Sequence, residues 1–390
     1  MNAGFPVPDY DKDVRQSYKG GFTYLSPLYK NKDVGTGLVF DVNSLYPSVM
    51  YERPLPYGEG IFFEGKYEPD DLYNLYVQMF TCQFELKEGY IPTIQLKNNL
   101  MFIPTQYIES SGTEEVTMCL TNVDLELFFE HYEVYNIEYH SGWKFKSTIG
   151  LFKDYIDKWI TIKNESTLNG NKAMRTLAKL MLNALYGKFA LNPNVCSKIP
   201  FLSEGVVKYV DGEKETRDPI YIPVGTFITA WARYKTITSA QKVYDKFIYA
   251  DTDSLHLNIS LPQKIKEMDE KDLEKLTTKD LIDLGVEIPE GFEVDPVKLG
   301  AWKLESRFFR ARFIRQKSYI EDWNEPDTWN TDRYNKELLN ITCAGMPKQC
   351  YQYVNWDNFR EGQTFSGKLQ PKHVEGGIIL KEIEFTIKKS

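Results

Sequence analysis

The sequence has no Cys-x-x-Cys pair. Its five cysteines, Cys82, Cys119, Cys196, Cys343 and Cys350, are odd in number and scattered, so neither a zinc site nor a disulfide framework is indicated, and reduced thiols are expected. No stretch reaches the roughly 18 apolar residues of a membrane span. The opening Met1-Asn-Ala-Gly-Phe-Pro-Val-Pro-Asp-Tyr10 lacks a secretory signal's basic start and apolar middle. These absences lead us to expect a soluble, cytoplasmic protein with no membrane partner. Internal repeats and low-complexity segments are lacking too. So is net positive charge: 47 Lys and Arg face 55 Asp and Glu, a formal −8. Read globally that charge disfavours nucleic acid, but binding depends on where charges sit.

What is present is a chain of 390 residues, 42% hydrophobic, long enough for a sizeable core in two or three lobes. Cys82 to Leu86 and Tyr90 to Leu96 read as strands between turn signals. Asn122 to Tyr132 reads as a capped helix, and Leu151 to Phe189 as one or two helices broken near Asn169-Gly170. Residues 191 to 222 resemble a hairpin turning at Asp211-Gly212, and Gly225 to Tyr244 a helix. Residues 263 to 290 alternate Lys with Asp and Glu at helical spacing, which predicts an exposed charged helix. The end of the chain, through Phe385 and Lys388, alternates like a half-buried strand.

Three aspartates sit where apolar strands run into turns. Asp41 follows Gly37-Leu-Val-Phe, and Asp251 and Asp253 follow Phe247-Ile-Tyr-Ala. Side chains two apart on a strand share a face, so Asp251 and Asp253 are expected to converge, with Asp41 from a neighbouring strand completing a hard oxygen cluster for Mg2+. Two such ions stabilise the attacking and leaving oxygens of a phosphoryl transfer. A lone Asp-x-Asp is ordinarily just a surface turn.

Two further patterns join it. Arg175, Lys179, Asn183 and Tyr186 form one stripe along a helix, flanked by apolar Leu177, Leu180, Met181, Ala184 and Leu185. Cations, an amide and a ring in line suit a triphosphate, a sugar and a base, and the helix is expected to stop at Gly187. Lys298 to Lys317 holds Lys298, Lys303, Arg307, Arg310, Arg312, Arg315 and Lys317 against Glu305 alone, with Trp302, Phe308, Phe309 and Phe313 between them. That makeup predicts a groove tracking a nucleic-acid backbone, although solvated faces also look like this.

Asp41-Val-Asn-Ser-Leu-Tyr-Pro-Ser, Lys179-Leu-Met-Leu-Asn-Ala-Leu-Tyr-Gly187, Tyr249-Ala-Asp-Thr-Asp-Ser254 and Lys317-Ser-Tyr319 resemble, in order, the polymerase signatures of family B DNA polymerases. Tyr18-Lys-Gly-Gly21 and Thr229-Ala-Trp-Ala-Arg233, with the long separating segments, look like the protein-primed branch found in small tailed Bacillus phages. Reverse transcriptases place two adjacent aspartates after an aromatic residue, and Thr252 between Asp251 and Asp253 argues against them.

The resemblance implies an α+β right-hand polymerase fold of palm, fingers and thumb with two protein-primed-type insertions. It maps 1–52 and 223–343 to the palm, 151–190 to the fingers and 344–390 to the thumb. Residues 53–150 map to an insertion docking the priming protein and upstream duplex, and 191–222 to a strand-separating hairpin. It implies template-directed DNA synthesis with two Mg2+ ions, Mn2+ being a substitute, on a DNA primer-template with dNTPs. A terminal priming protein, strand displacement, a monomeric state and a host-cell cytoplasmic location are implied as well.

By the same resemblance Asp41 and Asp253 are the metal ligands with the Val42 carbonyl, and Asp251 shapes the site. Tyr46 excludes a 2′-hydroxyl, Lys179 and Arg175 hold the triphosphate, and Asn183 and Tyr186 bracket the nascent base pair. Lys317 and Tyr319 grip the primer, Thr229 and Arg233 the template, and Tyr18, Gly20 and Gly21 the entering DNA. Ala184 and Ala250 replace the usual Ser and Gly. The stretch from Lys163 to Arg175 is longer than usual, which sets Lys163 outside the expected triphosphate contacts. Relatives carry a proofreading exonuclease before the Tyr-x-Gly-Gly segment, whereas only about forty residues precede Asp41 here, so no exonuclease is expected in this chain. The alternative is a catalytically silent palm scaffold that binds DNA or a priming protein.

Overall fold

The computed structural model describes residues 10–96, 103, 106–203, 206–218, 220–374 and 377–388. Its centre is an antiparallel sheet of five strands, β1 (Thr23–Leu25), β2 (Gly37–Val42), β3 (Phe247–Asp251), β4 (Ser254–Asn258) and β5 (Trp302–Phe308), in the order β1-β3-β4-β2-β5. Alternation along these strands separates two apolar faces. Leu38, Phe40, Leu255, Leu257 and Leu304 point into the main core. Val39, Tyr249 and Phe308 join Ala311 and Phe313 in a smaller cluster on the other side. Both faces are therefore covered, and functional groups gather where β2 and β3 end and β4 begins.

Four helices matter here: α1 (Leu45–Glu52), α2 (Lys153–Leu168), α3 (Lys172–Phe189) and α4 (Ile222–Lys242). Phe227, Ile228, Ala230, Ile237 and Ala240 of α4 all enter the main core, and its buried residues lie on every side of the helix. That explains its continuous apolar sequence. α2 and α3 break at Asn169-Gly170 as expected: Gly170 has φ +67°, and the Asn171 side chain caps α3 by accepting from the Met174 N–H. The Asn122–His131 helix is capped by Thr121, which accepts from the Asp124 N–H at 3.0 Å.

Three more four-stranded sheets complete the chain. Leu55–Glu64, Tyr132–Thr148, Leu75–Leu86 and Val116–Thr121 form one, over a core of Phe80, Phe84, Leu125 and Phe128. A second contains Arg310–Arg315 and Ser318–Asp322. In the third, the C-terminal strands Thr364–Val374 and Gly377–Thr386 pair with the hairpin Asn194–Ser203 and Val206–Thr216.

Several local expectations need correction. Tyr90 to Leu96 is not a strand: Pro92 has no N–H, Ile91 donates to the Gln241 side chain, and Thr93 donates to the Tyr132 hydroxyl at 2.9 Å. Side-chain acceptors replace the ladder. Asp211-Gly212 lies within a strand, Asp211 pairing with Lys198 beside a register shift. Gly212 is needed there because a Cβ would lie 2.4 Å from Ser197 Oγ; residues 204–205 lie outside the described residues. Residues 263–290 form three short helices, Gln263–Lys266, Glu270–Leu273 and Thr278–Asp283. Buried Ile265, Leu273 and Leu281 bind them to the main core, and a capping box at Thr277 starts the third anew.

Candidate active site

Asp41 is the next-to-last residue of β2 and Asp253 lies in the turn after β3, and backbone pairing locks them together. Asp41 is in register with Ser254, and the Val42 N–H donates to the Asp253 carbonyl at 2.7 Å. Between Asp251 and Asp253, Thr252 is forced to φ +64°, a left-handed conformation that a β-branched residue rarely adopts. Three contacts hold it: its N–H donates to the Phe22 carbonyl at 2.6 Å, its carbonyl accepts from the Thr236 hydroxyl at 2.7 Å, and Gly21 leaves room for its side chain. A Cβ on Gly21 would come 2.5 Å from Thr252 Oγ1.

This turn changes how Asp251 and Asp253 come together: both line one hollow, but not as neighbours on a strand. Asp251 still belongs to β3 and Asp253 does not, so strand alternation does not relate them. Asp251 instead accepts from the Thr23 hydroxyl at 3.1 Å and pairs with Lys317 at 3.2 Å. Among the described residues no three His, Cys, Asp or Glu side chains are grouped as a ready metal cage. Asp41 and Asp253 line the same two hollows at the centre, and their carboxylates could hold a cation.

The electrostatics of that pair fit a hard cation. Burial raises the Asp41 carboxyl to about 7, with the Asp253 and Glu305 charges adding to the shift and Lys179 and Lys303 opposing it. Asp253 is also raised, by burial first and by the Asp251 and Glu305 charges. Two half-buried carboxylates that resist ionising together are what a divalent ion between them would relieve.

Against the pair opens a cleft of about 460 Å³ lined by Asp41, Asp253, Tyr46, Arg175, Lys179, Asn183 and Tyr186. The helical stripe thus faces the carboxylates. Tyr46 of α1 stacks on Tyr186 at 4.2 Å between ring centres, and the Tyr186 hydroxyl lies 3.2 Å from that of Tyr18. α3 runs past Gly187 to Phe189, so Tyr186 sits on helix rather than at a turn. The expected apolar flank is also displaced: Leu177 and Leu180 are exposed, and the helix packs through Ala178, Leu182 and Phe189.

Three groups in the cleft were not anticipated. Lys163 donates to the Ser44 hydroxyl at 3.2 Å, and burial and the neighbouring Arg175 and Lys179 charges lower its pKa. Glu305 and Lys303 also line the cleft. Glu305 occupies a register shift between Leu304 and Ser306, an irregularity that carries no mark in the sequence. Lys303, the register partner of Asp41, was legible only as one cation in a basic run.

On the other side of the aspartates a second hollow of about 760 Å³ is lined by Asp41, Asp251, Asp253, Lys317, Tyr319, His256 and Glu321. Buried His256 donates or accepts at 2.6 Å with Glu321. Lys317 has φ +56°, and its N–H donates to the Tyr249 hydroxyl at 3.0 Å.

The basic groove over 298–317 is corrected. Lys298 pairs with Glu293, Lys303 with Glu274, Arg310 with Asp322, Arg312 with Asp33 and Lys317 with Asp251. Trp302, Phe308, Phe309 and Phe313 are buried core. Arg307 and Arg315 keep side-chain nitrogens without a partner among the described residues. The template contacts expected of Thr229 and Arg233 are corrected as well. Thr229 is fully buried, its hydroxyl donating to the Gly225 and Thr226 carbonyls. Arg233 is 3% exposed and spent on Asp124, at 2.7 to 3.0 Å, and on the carbonyls of Lys19 and Gly20. It ties the Tyr-x-Gly-Gly segment to the 122–131 helix.

Comparison with known proteins gives the site its context. The DNA polymerase of Bacillus phage phi29 is 50% identical over 389 residues, and that of Bacillus phage Nf 48% over 387; each match covers 97% of this chain and 62% of the relative. The DNA polymerase of Streptococcus phage Cp-1 is 32% identical over 358 residues. The chain therefore spans about three-fifths of the curated relatives it matches. A solved structure of phi29 DNA polymerase complexed with primer-template DNA and incoming nucleotide superposes with a TM-score of 0.82 at 48% identity, covering 99% of this chain and 64% of that one. The family model for DNA polymerase type B, organellar and viral, matches residues 5–271, and the chain belongs to that family.

Proposed function

We propose that this chain carries the synthetic centre of a template-directed DNA polymerase, adding deoxynucleotides to a DNA 3′ end. The observation that carries the reading is the facing of Asp41 and Asp253 across one cleft from Arg175, Lys179, Asn183 and Tyr186. In this reading Asp41, Asp253 and the Val42 carbonyl hold two Mg2+ ions, for which Mn2+ can substitute. Such ions, when bound, polarise the phosphoryl group and stabilise the attacking and leaving oxygens. Arg175 and Lys179, with Lys163 beside them, bind the triphosphate, and Tyr46 under the sugar rejects a 2′-hydroxyl. Asn183 and Tyr186 hold the nascent pair in line. Asp251 shapes the site through Thr23 and Lys317 rather than by ligation. Lys317 and Tyr319 line the hollow on the other side of the aspartates, where the primer end would lie.

The same reading makes 1–52 and 223–343 the palm, 151–190 the fingers and 344–390 the thumb. Residues 53–150 dock a terminal priming protein and upstream duplex, whose protein hydroxyl serves as first primer. The 191–222 hairpin parts strands ahead. A monomer acting in the host-cell cytoplasm fits this role. Tyr18, Gly20 and Gly21 act on DNA indirectly, by holding Tyr186, Arg233 and Thr252 in place.

Primer extension with Mg2+ and four dNTPs tests the reading. The chain should extend, and Asp253→Ala should lose at least ~1,000-fold, since each ~1.4 kcal/mol of lost transition-state stabilisation is tenfold in rate. Soluble, DNA-binding protein that never extends would show a silent scaffold instead.

A further inference from the structure

Along the end of the central sheet Asp253, Asp41 and Lys303 stand in a row, because the β3–β4 turn, β2 and β5 are successive neighbours. Lys303 is one strand spacing, roughly 4.8 Å, beyond Asp41. It lines the cleft with Arg175 and Lys179 and is absent from the lining of the hollow that holds Lys317. Its partner Glu274 lines that hollow, so the ammonium stands at the border between the two spaces, within the lining of the cleft that also holds Arg175 and Lys179.

That ammonium is paired with Glu274. Glu274 follows the short helix Glu270–Leu273, whose Leu273 is fully buried in the main core, so the backbone that carries this exposed carboxylate is anchored. The pairing takes one of the ammonium's three donors. With Asp41 and Asp253 neutralised by a bound cation, Lys303, only partly balanced by Glu274, would add positive charge to a cleft already lined by Lys163, Arg175 and Lys179. Like charges so placed repel unless an anion lies between them.

We propose that Lys303, aimed by the positioning residue Glu274, grips the β- and γ-phosphates of the incoming nucleotide and the pyrophosphate they become. The inference rests on the polymerase reading above. It adds a palm-side contact to the triphosphate, and it gives the acidic 263–290 segment the task of setting that contact's strength.

The test uses the full chain with Lys303→Met, Glu274→Gln and the double variant. Each is measured for KM and kcat in primer extension, inhibition by pyrophosphate, and binding of a nonreactive α,β-methylene dNTP followed by thermal shift. Lys303→Met should raise KM and weaken both pyrophosphate and analogue by about tenfold, as loss of a charge-assisted phosphate contact does. Glu274→Gln keeps an acceptor for Lys303 but removes the competing charge, so it should tighten all three by about threefold. In the Lys303→Met background that gain should vanish. Lys303→Arg should retain most binding, which guards against misfolding of the Met variant. Unchanged nucleotide and pyrophosphate affinity in Lys303→Met, or a Glu274→Gln effect that persists without Lys303, would overturn the inference. Wild-type protein that neither extends nor binds the analogue would instead overturn the polymerase reading.

Discussion

Replacing Asp41 with Asn separates what the site does for chemistry from what it costs the fold. The Asp41 carboxyl, raised from 3.8 to about 7, is shifted by burial and by its acidic neighbours. A group raised on folding contributes stability that is fully present below its unfolded pKa and lost as pH rises through its folded pKa. For Asp41 that window runs from 3.8 to about 7, so metal-free wild type near neutrality and above bears an uncompensated penalty. Roughly three pKa units at ~1.4 kcal/mol each set a ceiling of ~4 kcal/mol, and solvent screening at a half-buried group leaves ~1–3. A chain of 390 residues has an unfolding entropy of about 0.8 kcal/mol per degree, so Asp41→Asn should melt ~1–4 °C higher in EDTA at about pH 8. At about pH 5 wild-type Asp41 is protonated when folded, and the gain should fall to less than half. Adding Mg2+ should reverse the order, because binding to the folded form stabilises wild type preferentially. Extension should meanwhile fall at least ~1,000-fold. Differential scanning fluorimetry across pH, with and without Mg2+, reads all of this. A variant that melts below wild type in EDTA at the higher pH, or whose gain does not shrink on acidification, would refute the electrostatic account.

Other outcomes follow from single contacts. Tyr46→Val removes the ring stacked on Tyr186 and should raise ribonucleotide incorporation relative to deoxyribonucleotide; unchanged discrimination in competition assays would remove Tyr46 from the gate. Arg233→Ala leaves Asp124 buried without its cation and should cost ~3–5 kcal/mol by denaturant unfolding. A variant of wild-type stability with weakened template binding would restore Arg233 to the DNA. Gly21→Ala drives a methyl into Thr252 and should lower kcat more than DNA affinity, since the displaced turn carries Asp253. An effect on DNA affinity alone would place Gly21 against the duplex.

How much was legible depended on how local the signal was. Asp41, Lys179, Asn183 and Tyr186 could be found because strand and helix periods put them in the cleft where the structure puts them, whereas Tyr46 was reached only through the family resemblance. The break at Asn169-Gly170 was legible because a positive φ suits glycine and Asn caps a helix. The failures were of another kind. Asp251 and Asp253 looked like strand neighbours because nothing in Asp-Thr-Asp announces that Thr252 is held in a left-handed turn by Phe22, far away in the chain, and by Thr236 of the preceding helix. Glu305 entered the site through a register shift. Thr229 and Arg233 kept the polar character of contact residues while packing inward.

The basic run is the most instructive of these errors, because composition invites it. Seven cations within twenty residues suggest a surface waiting for phosphates, yet the counterions of Arg312 and Lys317, Asp33 and Asp251, lie far away in sequence, and those of Lys303 and Arg310, Glu274 and Asp322, come from other elements. Charge clustered along a chain is thus no measure of charge presented to a ligand. A chain of net −8 can hold an anionic substrate if its carboxylates are committed to partners and a few cations are left facing one cleft. Arg175 and Lys179, on the exposed face of α3 beside half-buried Lys163, meet that condition. Lys303 meets it in part, through the donors that Glu274 does not occupy. The acidic majority then has a physical role: it confines positive potential to the place where Asp41 and Asp253 need a phosphate delivered.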